Sequence, residues 1–183
     1  MTVKHSLLAL LTLGPAYGLQ LRDELVARAP HRTGINVGQV YGTLDRLQKA
    51  GHIISAGVTD DNLPLYTLTD GGREEAQAWL SAPSGIDALD WTEMLDQVLV
   101  CSSVPGAPWR ALVADYRRLW LGRAGSPRES EGPQAAMSAR AVAESARAAV
   151  AWLDAAEQTF SGNSPAAGFS RRRPRRGRPA LVL

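Results

Sequence analysis

One cysteine, three histidines and no long apolar run mark what this 183-residue chain does without. A lone thiol, Cys101, cannot close an internal disulfide, so packing has to hold the fold, and the pattern fits a reducing compartment. His5, His31 and His52 show no metal-ligand spacing, and Cys101 has no histidine near it in sequence. No Gly-rich phosphate loop of the dinucleotide or P-loop form occurs either. These absences argue against an enzyme and leave no catalytic, metal or cofactor residue to assign. No stretch approaches the ~20 apolar residues that span a bilayer. The run Leu7-Leu8-Ala9-Leu10-Leu11 follows Lys4 and His5 but breaks off at Gly14 and Pro15. It reads as a buried first helix rather than a signal peptide, and the expectation is a cytoplasmic protein with no membrane partner.

Charge is scarce in total and uneven in place. The net charge is +2, yet residues 171–183 hold six arginines and no acid, which leaves −4 for the rest. Residues 1–83 alone carry seven basic and eight acidic side chains. The high isoelectric point therefore belongs to the tail, and it says little about what the folded part binds.

Local signals give an order of elements. Leu7, Leu10 and Leu11 fall at helical spacing. A second helix is expected over 17–29, with Leu21, Leu25 and Val26 inward, Arg22, Asp23 and Arg28 outward, and Pro30 as its stop. Asn36 stands at an N-cap position and Gln39 three residues later completes a capping box, opening a helix that runs to about Ala50 before Gly51. Ile53-Ile54 and 65–68 read as short strands around a turn containing Gly57, Asp60, Asp61, Asn62 and Pro64. Thr69 caps a further helix to about Leu80. Helix, helix, helix, strand, strand, helix is the winged helix-turn-helix order. Beyond Pro83, helices are expected over 88–103, 108–122 and 134–160. The predicted fold class is mainly α: a winged helix-turn-helix DNA-binding domain over residues 1–82, then a helical dimerisation and effector domain over 83–161. Residues 162–183 form a disordered, Arg-rich tail.

The third helix carries the functional signal. Val37, Val40, Leu44 and Leu47 share its apolar face, and Gly38, Gly42, Arg46 and Lys49 share the opposite one. A glycine on a helix surface costs about 1 kcal/mol relative to alanine, so a merely solvated face has little reason to hold two. A face pressed against a duplex has one, because missing side chains let the backbone enter the major groove. Gln39 suits adenine, Arg46 guanine or a phosphate, and Lys49 a phosphate. An ordinary surface helix with two poor residues is the plainer alternative.

Three segments, Leu10-Leu11-Thr12-Leu13-Gly14-Pro15-Ala16-Tyr17-Gly18, Val40-Tyr41-Gly42-Thr43-Leu44-Asp45-Arg46-Leu47 and Tyr66-Thr67-Leu68-Thr69-Asp70-Gly71-Gly72-Arg73, resemble the PadR family of transcriptional regulators in order and spacing. The C-terminal part is similar to the subfamily with a longer helical domain, including Ala151-Trp152-Leu153-Asp154. The resemblance implies a homodimeric repressor whose third helix enters the major groove of double-stranded operator DNA. It places the recognition tyrosine at Tyr41 and neighbouring contacts at Asn36, Gly38, Gln39 and Arg46. The wing departs from the family: residues 55–64 carry Asp60 and Asp61 and no basic side chain.

All five tryptophans lie between residues 79 and 152. The resemblance implies that these helices dimerise and that a cleft between the domains admits a small hydrophobic, aromatic or drug-like effector. Trp91, Trp109, Trp120 and Trp152 are the candidates for the effector or dimer interface, with core packing as the plainer role. In the tail, Arg176-Gly177-Arg178-Pro179 resembles the core of an AT-hook, an extended segment suited to the minor groove; simple phosphate attraction is the alternative. A winged-helix-derived protein-interaction module without operator binding is the competing reading of the whole chain, favoured by the acidic wing and the −1 charge of residues 1–83.

Overall fold

The computed structural model describes residues 2–84, 89–124, 132–162 and 168–169. Seven helices and one hairpin follow one another among them: α1 (Thr2–Leu11), α2 (Gly18–Arg28), a 3-10 turn (Pro30–Arg32), α3 (Val37–Lys49), β1 (Ile53–Val58), β2 (Pro64–Leu68), α4 (Asp70–Ser81), α5 (Trp91–Ser103), α6 (Trp109–Ala124) and α7 (Pro133–Gly162). The fold is mainly α, a winged helix followed by a helical region. The start of the helix expected at 88 and the Arg176-Gly177-Arg178-Pro179 segment lie outside the described residues.

Local chemistry fixes the ends of the elements that matter most. Asn36 Oδ1 accepts from Gln39 N at 2.8 Å while Gln39 Oε1 accepts from Asn36 N at 3.1 Å, so α3 opens on a complete capping box. Two otherwise orphaned backbone donors are thereby satisfied. At the far end Gly51 takes φ 76°, the left-handed conformation that ends a helix. Thr69 caps α4 by accepting from Gly72 N at 3.0 Å.

The hairpin is antiparallel, with Ile53 opposite Leu68 and Ser55 opposite Tyr66, and a bulge between Ser55 and Val58. Both strands outrun their sequence signals. A third piece of backbone joins them: Ala16 and Tyr66 exchange hydrogen bonds at 3.1 and 2.9 Å. No alternation announces a strand at Ala16, because a one-residue bridge has no period.

α1 is the centre of the molecule. Residues 7–11 are all buried, wrapped by α4, α5, α2 and α3. A single hydrophobic cluster runs from Leu7 through Leu44, Trp79, Val98 and Trp120 to Ala156, so the winged helix and the later helices share one core. Each buried leucine contributes about 2 kcal/mol.

Polar contacts tie the same two parts together. Asp96 on α5, 1% exposed, takes Arg32 Nε at 3.0 Å on both oxygens and lies 2.7 Å from His31 Nε2. Gln97 Nε2 donates to the carbonyls of Trp79 and Ala82, and the Tyr116 hydroxyl donates to Gln97 Oε1. Burial holds the Tyr116 phenol and the Cys101 thiol well above their ordinary values, the latter at about 12, so Cys101 is an inert core group. Arg28 corrects the sequence reading: its side chain is only 8% exposed, paired with Glu24 and donating to Ser103 O at 2.8 Å. A contact 75 residues away in sequence turned an apparently solvent-facing arginine inward.

Glu75 on α4 gathers Lys4, His5 and His52, the two imidazoles at 3.1 and 3.0 Å. Burial pushes its carboxyl upward, but Lys4 and then the histidines overcome that and hold it below 4.5. His5 stacks on Trp79 and has a buried Nδ1 with no hydrogen-bond partner among the described residues. Burial first, then Lys4, keeps its pKa below 6.5 against the upward pull of Glu75 and Glu93. Both shifts run the same way, since the folded state binds fewer protons than the unfolded chain in each window. The His5 contribution is present above pH 6.5 and is lost as pH falls through its folded value. The Glu75 contribution is present above pH 4.5 and is lost below it. Denaturant unfolding at a series of pH values is expected to show stability falling in two steps on acidification, with Glu75→Gln removing the lower step. A wild-type minus variant difference that stays constant from pH 7 to below 4 would show that Glu75 contributes nothing.

Candidate nucleic-acid interface

α3 presents the two faces its periodicity predicts. Val40, Thr43, Leu44 and Leu47 are buried, whereas Gly38, Gln39, Gly42, Asp45, Arg46 and Lys49 are exposed. Val37, expected in the core, is only partly covered, and Thr43 takes an inward place instead. Thr43 is tolerated there because its hydroxyl donates to Gln39 O at 2.8 Å.

Two kinds of glycine occur around this helix. At Gly18 a Cβ would sit 2.6 Å from Tyr41 Cζ, and at Gly72 it would sit 1.9 Å from the His52 carbonyl oxygen, so the packing demands both. At Gly42 a Cβ would meet nothing within 4 Å, and at Gly38 only Asn36 Oδ1 at 3.2 Å. The fold does not need Gly42.

The exposed side chains are arranged for reach. Arg46 folds along its own helix, donating from Nε to Gly42 O and from Nη2 to Thr43 Oγ1, both at 3.0 Å. These are local bonds on a solvent face, worth about 1 kcal/mol or less each, and they yield readily to a phosphate or a base. Lys49 pairs with Asp45 at 2.8 Å in an equally exposed contact. In the capping box Asn36 and Gln39 each use one side-chain oxygen lone pair, and each keeps its amide NH2 and a second lone pair.

Tyr41 joins the three motif segments. Its ring covers Gly18, at the start of α2, and it lies beside Tyr66, which bridges to Ala16. Burial, then Tyr41 and Asp45, raises the Tyr66 phenol above its ordinary value. Tyr41 is half-buried, a packed ring at the border of the exposed face.

The wing is the hairpin tip. Thr59 N donates to Leu63 O at 2.9 Å, and Asn62 sits in the left-handed region at φ 61°. Asp60 and Asp61 are exposed, and no lysine or arginine occurs between residues 53 and 68. A groove of about 880 Å³ lies instead beside α3, with Lys4, His31, Arg32 and Arg46 among its lining residues. Sequence reasoning missed the first three as site residues. The adjacent His31 and Arg32, in the turn between α2 and α3, were the available signal; Lys4 had none beyond its charge.

The tryptophans divide. Trp109 and Trp120 are 8% and 4% exposed, packed inside the single chain against Phe160 and Met94. Trp91 is 37% exposed and meets Trp152 edge-on at 6.2 Å, so this pair alone of the four candidates reaches the surface. Among the described residues no group of His, Cys, Asp and Glu is placed to hold a metal, and no helix is long and apolar enough to cross a membrane.

Residues 7–78 match the model of the transcriptional regulator PadR-like family. Among solved structures the chain is similar to the crystal structure of Bacillus subtilis PadR in complex with operator DNA, at 20% identity and a TM-score of 0.40, over 87% of this chain and 99% of that one. No curated protein matches the chain.

Gly42 separates stability from recognition. Gly42→Ala is expected to raise unfolding stability by up to about 1 kcal/mol, because alanine is the better helix residue and its methyl group has open space. The same methyl group is expected to weaken duplex binding. Thermal melts and DNA titrations on one preparation check both; a stabilised variant with unchanged affinity for its upstream DNA would remove Gly42 from the interface.

Proposed function

We propose that this chain, which carries a PadR-like domain over residues 7–78, is a cytoplasmic homodimeric repressor that binds operator DNA sequence-specifically and has no enzymatic activity. The observation that carries the reading is the exposed face of α3, where a bare Gly42 stands without structural need between Gln39 and Arg46. α3 enters the major groove. Gly38 and Gly42 set the close approach, Gln39 and Arg46 address base edges, and Asn36, Tyr41 and Lys49 meet the backbone. Gln39 suits adenine, donating from its amide NH2 to N7 and accepting from N6.

Residues 1–82 act as the DNA-reading domain and 83–161 as the dimerisation and effector domain, on one shared core. The start of α7 supports a second copy: residues 133–138 are exposed all round, and Met137 is 63% exposed. Two half-sites read by one dimer bind far more tightly than either alone. The surface pair Trp91 and Trp152 is the place for a small aromatic or drug-like effector that releases the operator. Residues 162–183 add sequence-independent phosphate attraction, with Arg176, Gly177, Arg178 and Pro179 as a minor-groove element.

A protein-interaction module without operator binding is favoured by the acidic wing and by the −1 charge of residues 1–83. Footprinting over the intergenic DNA upstream of the gene separates the two. Protection of a defined site is the expected result, and uniform weak binding would favour the module. On that site Arg46→Ala is expected to cost about 1–3 kcal/mol and to relax discrimination at one base position. Unchanged affinity in a variant with a native circular dichroism spectrum would exclude Arg46 from readout. Met137→Asp is expected to shift the protein toward monomer in sedimentation; an undisturbed dimer would place the interface elsewhere.

A further inference from the structure

The groove beside α3 draws positive charge from three separate elements, Lys4 from α1, Arg32 from the 3-10 turn and Arg46 from α3, and His31 lines it as well. None of its described lining residues is acidic. Glu75 and Asp96, which pair with Lys4 and Arg32, are not among them. These side chains remain reachable: Lys4, His31 and Arg32 are 35%, 29% and 25% exposed. Glu75 keeps His5 and His52 when Lys4 turns away. Asp96 engages two of the three guanidinium nitrogens of Arg32, Nε and Nη2, so the third remains a donor.

We propose that this groove seats the sugar-phosphate backbone of one DNA strand, and that docking is anchored here rather than at the wing. The proposal rests on the reading of α3 as the element that enters DNA. A helix about 10–12 Å across nearly fills a major groove about 12 Å wide, so side chains and elements alongside it meet backbone phosphates. Phosphate oxygens want cationic donors with no particular base code, and the groove supplies Lys4 and Arg32 beside the base-reading Arg46. The wing supplies the reverse, two exposed carboxylates and no cation. Anchoring on one side sets the register of α3 from α1 and the 3-10 turn, elements braced by the central core and by Asp96 of α5.

Gly34 provides a clean probe, because it lines the groove and a Cβ there would meet nothing within 4 Å. Full-length wild type, Lys4→Gln, Gly34→Asp and the wing variant Asp60→Asn/Asp61→Asn are titrated at several salt concentrations. The duplexes are one of random sequence and one from the upstream intergenic region. The C-terminal arginines are common to all four proteins and cancel in the comparison. Lys4→Gln is expected to flatten the slope of log affinity against log salt by about 0.9 on both duplexes. Gly34→Asp is expected to weaken both by roughly five-fold at low salt without changing the ratio between them, since phosphate contacts carry no sequence information. The wing variant is expected to leave the slope unchanged. Unaltered slope and affinity in both groove variants, with native circular dichroism, would overturn the proposal, as would a slope change confined to the wing variant. Absence of any preference for the intergenic duplex would count against sequence-specific reading alone, because the random duplex still reports on the groove.

Discussion

Everything in this molecule leans on α1. Residues 7–11 of this ten-residue helix are all buried, covered by α2 and α3 on one part and by α4 and α5 on another, while its first turn meets solvent at Lys4 and His5. Four of those five residues are leucines, each contributing about 2 kcal/mol by burial, against a total stability that for domains of this size is about 5–15 kcal/mol. Separating the winged helix from the later helices would expose that surface, so the two parts pack as one body.

Helix α3 is held at its start, its middle and its side by different forces. The capping box of Asn36 and Gln39 fixes where it begins. The ring of Tyr41 on the bare backbone of Gly18 fixes its approach to α2. Asp96, buried on α5, grips Arg32 only four residues before the cap. A buried carboxylate paired this way is costly to strip of its partner, about 3–5 kcal/mol in comparable cases, so the link resists breaking even though the pair itself adds little net stability. The helix axis is thus braced while its outer face, with Arg46, stays exposed.

Much of this was legible because it is local. The N-cap at Asn36, the stop at Gly51, the Thr69 cap and the alternation of buried and exposed positions in α3 each depend on residues within a turn of one another. The face holding Gly38, Gly42 and Arg46 could be read from spacing alone. What sequence could not carry is long-range. Arg28 looks solvent-facing until Ser103 arrives beside it, Ala16 becomes a strand only because Tyr66 offers it a partner, and Val37 gives up its core place to Thr43, whose hydroxyl finds Gln39 O. The tryptophans show the same limit. Nothing in their spacing distinguishes the buried Trp109 and Trp120 from the surface pair Trp91 and Trp152, since aromatic residues serve cores and interfaces alike.

Charge illustrates why position outranks sum. Residues 1–83 carry a net −1, which on its own speaks against a polyanion partner. Yet the acids are placed where they do structural work or face away from the groove: Glu75 collects two histidines and a lysine, Glu24 neutralises Arg28, and Asp60 and Asp61 sit out on the wing. Coulomb interactions between exposed groups fade over about 10 Å at moderate salt, so a phosphate beside α3 responds to what lies within that radius rather than to the total. Arg46, Lys4 and Arg32 line the groove itself, with Glu75 and Asp96 behind the latter two and no acid among the described lining residues. Like charge at one place and opposite charge at another is how a surface favours one orientation of a charged partner over others.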